Sequence, residues 1–179
     1  MLQIIGKGGF AREVSGYTKE PTMLYENKEI EVMKENVDTI IAIGEPSVRK
    51  QLAFANYHLR FVLFFKGKQF GKNTYGVGTI VCPGTYITTG VTIGKHVIIN
   101  LHCTIGHDCV IGDFTTISPG ANISGNVTIG SECYIGTNAV IREKVSICGG
   151  VTIGAGTVVV KDITEPGIYV GNPSKTLHL

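Results

Sequence analysis

Residues 99–123 read INLHCTIGHDCVIGDFTTISPGANI, with an isoleucine at every sixth position. The row runs on in both directions: twelve isoleucines stand at 87, 93, 99, 105, 111, 117, 123, 129, 135, 141, 147 and 153, and Val81 and Val159 extend it. Two positions before each comes a small or branched residue, such as Val97, Cys103, Cys109, Thr115, Ala121 or Val127, and the residue after it is most often glycine. Each hexapeptide is therefore an in-out-in triplet, the period of a short strand, followed by a bend where a side chain would clash. Three such units close a triangular coil of eighteen residues. Coils stacked at about 4.8 Å lay isoleucine over isoleucine in one continuous core. The spacing predicts a prism over residues 75–164.

At 179 residues, 43% hydrophobic and 17% charged, the chain has material for one solenoid and a small second unit and is too apolar for disorder. Met1–Gly6 lacks the apolar stretch and cleavage site of a signal peptide, and no apolar run reaches membrane-spanning length, so a cytoplasmic, non-membrane protein is expected. A net charge of +2 with scattered Lys and Arg gives no footprint for nucleic acid. Of five cysteines, Cys103, Cys109 and Cys133 fall on inward positions and Cys82 and Cys148 on corners, with no metal spacing among them, so no metal is expected.

Ahead of the repeats the pattern changes. Leu2–Ile5 reads as a buried strand, followed by the turn Gly6-Lys7-Gly8-Gly9-Phe10 and a helix over residues 11–18. Weaker signals give a strand at 23–25 and a short helix at 28–36; stronger ones give a strand at 39–43 ending in Gly44 and a helix that Pro46 introduces. A strand, a glycine turn and a helix open a nucleotide-binding βαβ unit, although such a turn alone leaves nucleotide binding open. The expected organisation is mixed: a Rossmann-like α/β subdomain over 1–70, then a parallel β-helix over 71–179.

The hexapeptides, the segment Gly6–Glu13, Ile41-Ala42-Ile43-Gly44 followed by Arg49, the run from Asn100 through His107-Asp108-Cys109 to Phe114, and the closing Gly171-Asn172-Pro173 together resemble the sialic acid O-acetyltransferase and bacillosamine N-acetyltransferase group of hexapeptide-repeat acyltransferases. The resemblance covers nearly the whole chain. It implies a left-handed coil, a homotrimer with active sites between adjacent prisms, acetyl-CoA as cosubstrate, and an N-terminal subdomain that holds the nucleotide of a nucleotide-sugar, here through Gly6, Gly8, Gly9, Glu26 and Gly44. Two positions depart from the group: a carboxylate commonly present as Asp is Glu26, and a histidine that bears on the acetyl-CoA contact falls on Thr116.

His107 follows Gly106 at a corner, so its imidazole points outward, and Gly125 lies eighteen residues on, one coil along the same edge. A glycine beside a histidine leaves a backbone N–H open to a thioester, where it can stabilise an oxyanion. Imidazole exchanges protons near neutrality, and a carboxylate on its other nitrogen orients it; Asp108 is nearest in sequence and Asp113 second. The resemblance implies the same roles, with direct acetyl transfer. Asn100 belongs to another corner and meets His107 only across a subunit boundary. Small corners at Gly136, Gly154 and Ala155 then make room for the pantetheine arm, and Lys161 and Lys175 are candidates for the coenzyme's phosphates.

The favoured reading is N-acetylation of a nucleotide-linked amino-sugar for surface glycans, with O-acetylation of a sialic acid or related sugar as the alternative. Two readings of other classes compete. A zinc carbonic anhydrase of the gamma type fits the five-residue spacing of His102 and His107, but the third ligand position is Lys66. A non-catalytic trimeric scaffold that senses a nucleotide-sugar is the other.

Overall fold

The computed structural model describes residues 1–177. β1 (Leu2–Ile5) is fully buried and pairs in parallel with β2 (Thr22–Tyr25) on one side and β3 (Thr39–Ile41) on the other, giving the order β2-β1-β3. α1 (Gly9–Gly16) connects β1 to β2, a 3-10 turn (Asn27–Val32) follows β2, and α2 (Pro46–Ala55) follows β3 with proline in its first turn. The expected helix at 28–36 is this short turn, which extended backbone ends at Met33.

The rest of the chain winds into a three-faced parallel β-helix. The first face has eight strands, from Phe64–Phe65 to Lys175–Thr176, the second six and the third five. Every pairing between successive coils from Ile80 to Val159 joins residues eighteen apart, so Ile99 lies over Val81 and under Ile117. The isoleucine row and the inward Val, Cys, Ala and Thr residues are buried in one continuous core.

The prism starts earlier than residue 75. Phe64–Phe65 and Lys68–Gln69 already pair with Ile80–Val81 and Tyr86–Ile87, which places them in the coil ahead of the 71 boundary read from the repeats. Their row positions carry Phe65, Gln69 and Tyr75, and the first corner is shortened to two residues, so the six-residue period is not visible there. At the other end, the turn at 171–174 folds Lys175–Thr176 back antiparallel on Gly167–Val170 and caps the sheet edge.

The N-terminal unit sits on the first face because that face is apolar on its outside. Its outward positions include Phe64, Ile80 and Ile98, where the other faces carry residues such as Thr92, Thr104 and Thr128. Ile80 and Ile98 are covered by Leu2, Ile4, Ala11, Val14 and Ile40. Cys82, at a corner as expected, is buried in the same cluster. A further cluster joins Ile5, Tyr25, Met33, Ile41 and Leu52 to Phe114 of the prism.

His96 is trapped in this junction. Its ring stacks on Phe114 at 5.3 Å and meets the edge of Phe61 at 4.7 Å, and its Nδ1 has no hydrogen-bond partner among the described residues. Burial, with the Arg49 cation nearby, pushes its imidazole down to about 4. The unfolded chain binds a proton here at about 6.5 and the folded chain only near 4, so the contribution is complete above 6.5 and lost as pH falls toward 4. We expect the urea midpoint to drop between pH 7 and pH 5, and His96→Phe, which keeps a stacked ring, to flatten that drop. We also expect Ile117→Asp, an unpaired carboxylate in the isoleucine stack, to cost several kcal/mol and abolish soluble, cooperatively unfolding protein.

Candidate active site

The three edges of the prism divide the candidate residues. Corners at 100–103, 118–121, 136–139 and 154–157 join the first face to the second; those at 88–91, 106–109, 124–127 and 142–145 join the second to the third; those at 94–97 and 112–115 return from the third to the first. His107, Asp108 and Gly125 share the second edge, where Asn126 N–H donates to His107 O at 2.8 Å and Lys144 N–H to Gly125 O at 3.1 Å. Each corner thus sits squarely on the last.

His107 Nδ1–H donates to Asp108 Oδ2 at 2.8 Å, which leaves Nε2 with the free lone pair. Asp108 can turn its carboxylate back because its φ is +59° and the residue one coil below is Gly90, where a Cβ would collide with Oδ1. The Nε2 end faces Gly125: a Cβ built at 125 lies 2.5 Å from it. The Gly125 N–H donates to no described group, whereas the corresponding amide of Lys95 is capped by Asp113 Oδ1 at 2.7 Å. Asp113 therefore belongs to the third edge, away from His107, which removes it as the supporting acid. An imidazole, the carboxylate bonded to it and an amide with no described partner lie together on one exposed edge.

The coenzyme track read from the sequence divides between two edges. Lys161 follows Val158–Val159 toward the second edge and is exposed, but Gly136, Gly154 and Ala155 stand on the first edge in the column of Asn100. The second face, with Thr104, Asn122 and Val140, separates them from Gly125 within one chain. Sequence spacing fixes the column of a residue but the path of a ligand depends on which columns adjoin in space. Lys175 lies exposed in the terminal hairpin. His102 is on the first edge and His107 on the second, so within one chain the two histidines do not share a corner.

A second concavity lies in the N-terminal unit. Gly6, Lys7, Gly8, Gly9, Phe10, Glu26, Lys28, Ala42, Ile43 and Gly44 line a cavity of about 610 Å³ at the carboxyl ends of β1, β2 and β3. Gly6 has φ +129° and its missing Cβ would lie 2.9 Å from Ala42 O, so the tight turn admits only glycine. At Gly8, Gly9 and Gly44 an added Cβ would meet nothing within 4 Å, so backbone faces open space. The crevice beyond the strand ends, beside a glycine-led helix start, is where open α/β sheets bind nucleotides. Lys7 is held by Glu29 at 2.7 Å and Lys28 by Glu26 at 3.4 Å. Sequence reading brought Gly6, Gly8, Gly9, Glu26 and Gly44 to this place but missed Lys28 and Phe10 on its wall.

Thr116 is nearly buried on the first face, donating to Gly44 O at 2.6 Å and accepting from Arg49 Nη2 at 2.9 Å. Within this chain it serves the junction between the two units. Among the described residues no group of three or more His, Cys, Asp or Glu could hold a metal ion, and no helix is long and apolar enough to cross a membrane.

Residues 108–143 match the family model described as bacterial transferase hexapeptide (six repeats). No curated protein matches the sequence. Among solved structures, the acetyltransferase domain of PglB from Neisseria gonorrhoeae FA1090, known also in complex with acetyl coenzyme A, is 28% identical with a TM-score of 0.91, covering 98% of each chain. WeeI from Acinetobacter baumannii AYE is 27% identical with a TM-score of 0.85 over 99% of each chain. PerB from Caulobacter crescentus, in complex with CoA and GDP-perosamine, shares the fold at 24% identity with a TM-score of 0.87, covering 99% of this chain and 97% of that one. The fold expected from the sequence, a small α/β unit on a left-handed β-helix, is the one these proteins share.

A methyl group at residue 125 would occupy the space that the His107 ring now fills. We expect Gly125→Ala to displace His107, leave the thermal midpoint within a few degrees of wild type, and lower acetyl transfer by about 10²-fold, checked by melting curves alongside initial rates.

Proposed function

We propose that the chain is a hexapeptide-repeat acyltransferase, a reading its repeats and its full-length likeness to the PglB domain support, and that it transfers the acetyl group of acetyl-CoA directly to the amino group of a nucleotide-linked amino-sugar. The observation that carries this reading is the placement of His107 Nε2, set by the 2.8 Å bond to Asp108, against Gly125, whose N–H donates to no described group.

The chemistry follows from those groups. The acceptor nitrogen loses a proton to His107 Nε2 and attacks the thioester carbon, forming a C–N bond. Negative charge moves to the carbonyl oxygen, which the Gly125 N–H stabilises. The intermediate collapses with cleavage of the C–S bond, and the proton held by His107 passes to the departing coenzyme thiolate. Asp108 keeps Nδ1 protonated and balances the imidazolium that forms between the two proton transfers. No acyl-enzyme intermediate is required.

The glycine-lined cavity supplies the nucleotide site in this reading, which favours a nucleotide-linked amine over a free sialic acid hydroxyl as acceptor. The cavity lies on the first face, through Gly44 and Thr116, whereas His107 lies on the opposite edge. A nucleotide-sugar held by one chain would therefore meet the His107 of a second. Asn100, Gly136, Gly154 and Ala155 share one edge, and Gly125 and Lys161 another, so a coenzyme groove between two prisms unites residues that one chain keeps apart. A cyclic trimer satisfies both requirements.

Thiol release from acetyl-CoA with UDP- and dTDP-linked 4-amino sugars, against free and CMP-linked sialic acid, tests the acceptor. Release with the amino-sugars alone is expected; release with the sialic acids alone would reassign the chemistry to O-acetylation. We further expect His107→Ala to keep the wild-type oligomer and fold while lowering turnover by about 10²–10⁴-fold, and near-normal turnover would remove His107 from the mechanism.

A further inference from the structure

Arg49, on α2, is completely buried with no carboxylate in contact. All five of its N–H donors are used: Nε on His96 O at 2.7 Å, Nη1 on Ile43 O at 2.6 Å and Gly44 O at 3.0 Å, and Nη2 on Phe114 O at 2.5 Å and Thr116 Oγ1 at 2.9 Å. His96 and Phe114 are eighteen residues apart on the third edge, both with positive φ, and neither carbonyl accepts a described backbone N–H. Ile43 and Gly44 belong to no strand or helix, yet they form a wall of the cavity. The Thr116 hydroxyl adds a third donor to that wall, on Gly44 O at 2.6 Å.

We propose that Arg49 and Thr116 are positioning residues for the nucleotide-sugar: they fix the Ile43–Gly44 wall of the cavity against two coils of the prism, so that the ligand-binding form of the wall exists before ligand arrives. This rests on reading the cavity as the nucleotide site. The two residues touch neither substrate nor coenzyme; they act through the carbonyls of Ile43 and Gly44. A preformed wall spares the ligand the cost of ordering it, so loosening the wall weakens nucleotide binding and leaves the coenzyme edge untouched. Lysine cannot replace Arg49, because three donors on one nitrogen cannot span five acceptors placed on both sides of a planar fork.

The test is calorimetric titration of the intact protein with UDP, GDP, dTDP and, separately, acetyl-CoA, for wild type, Thr116→Val, Thr116→Ser and Arg49→Lys, each with its thermal midpoint. The proposal expects Thr116→Val to weaken the tightest-bound nucleotide by about three- to tenfold, Arg49→Lys by about tenfold or more, and Thr116→Ser to restore wild-type affinity, all with acetyl-CoA affinity unchanged. If Arg49→Lys fails to fold, the isosteric Thr116→Val and its serine rescue carry the comparison. Wild type that binds a nucleotide, with variants of equal nucleotide affinity and a lowered midpoint, would overturn the positioning role alone. Parallel weakening of both ligands would reduce it to general stability. Wild type that binds none of the three nucleotides would overturn the nucleotide reading, and this proposal with it.

Discussion

One guanidinium holds the two halves of this protein in register. Arg49 arrives from the α/β unit and ends on backbone carbonyls and a hydroxyl of the prism. Burial lowers its pKa to about 9, so it remains a cation at neutral pH, stabilised by polar atoms instead of a counter-ion. Removing a buried cation from such a cage leaves several carbonyls unpaired, each costing about 1–3 kcal/mol, which makes the geometry hard to relax. The apolar contacts around it, Ile80 and Ile98 under Ile4 and Ile40, supply most of the adhesion but no direction. Direction comes from the hydrogen bonds.

The eighteen-residue register is the second constraint. Because each pairing joins like positions of successive coils, any residue on an edge has its neighbour fixed by arithmetic: His107 beneath Gly125, Asn100 beneath Ser118 and then Gly136. The same stacking turns the second amide of each corner outward. The chain uses that repeated donor differently along its length, capping it with Asp113 at Lys95 and leaving it open beside His107 at Gly125. A structural habit of the fold has become a chemical feature at the one corner where an oriented histidine stands next to it.

The core of the prism was legible because burial there is periodic, and the isoleucine row and the inward cysteines are found where the spacing puts them. The first coil was not, because Phe65, Gln69 and Tyr75 carry the row without aliphatics and one corner is cut short. The docking face was written in the sequence as doubled aliphatics, Ile80-Val81 and Ile98-Ile99, where other strands alternate with threonine; it required only that the outward position be read as well as the inward one. Asp113 was a reasonable second carboxylate by distance along the chain, but one edge away in space it caps an amide.

What the sequence by itself determined is everything that depends on position modulo eighteen, namely the prism, its core and the stacking of His107 under Gly125, and, outside the repeats, the glycine turn after the first strand. Hydrophobic burial and strand period are local and repetitive, so they survive in one dimension. The tertiary structure alone decided how the α/β unit is aimed, that Arg49 and Thr116 tie the cavity wall to the prism, and that the glycine-lined cavity and His107 stand on opposite sides of a single chain. Those depend on hydrogen bonds between segments 47 to 72 residues apart, made by side chains whose partners are backbone carbonyls and leave no pattern in the sequence.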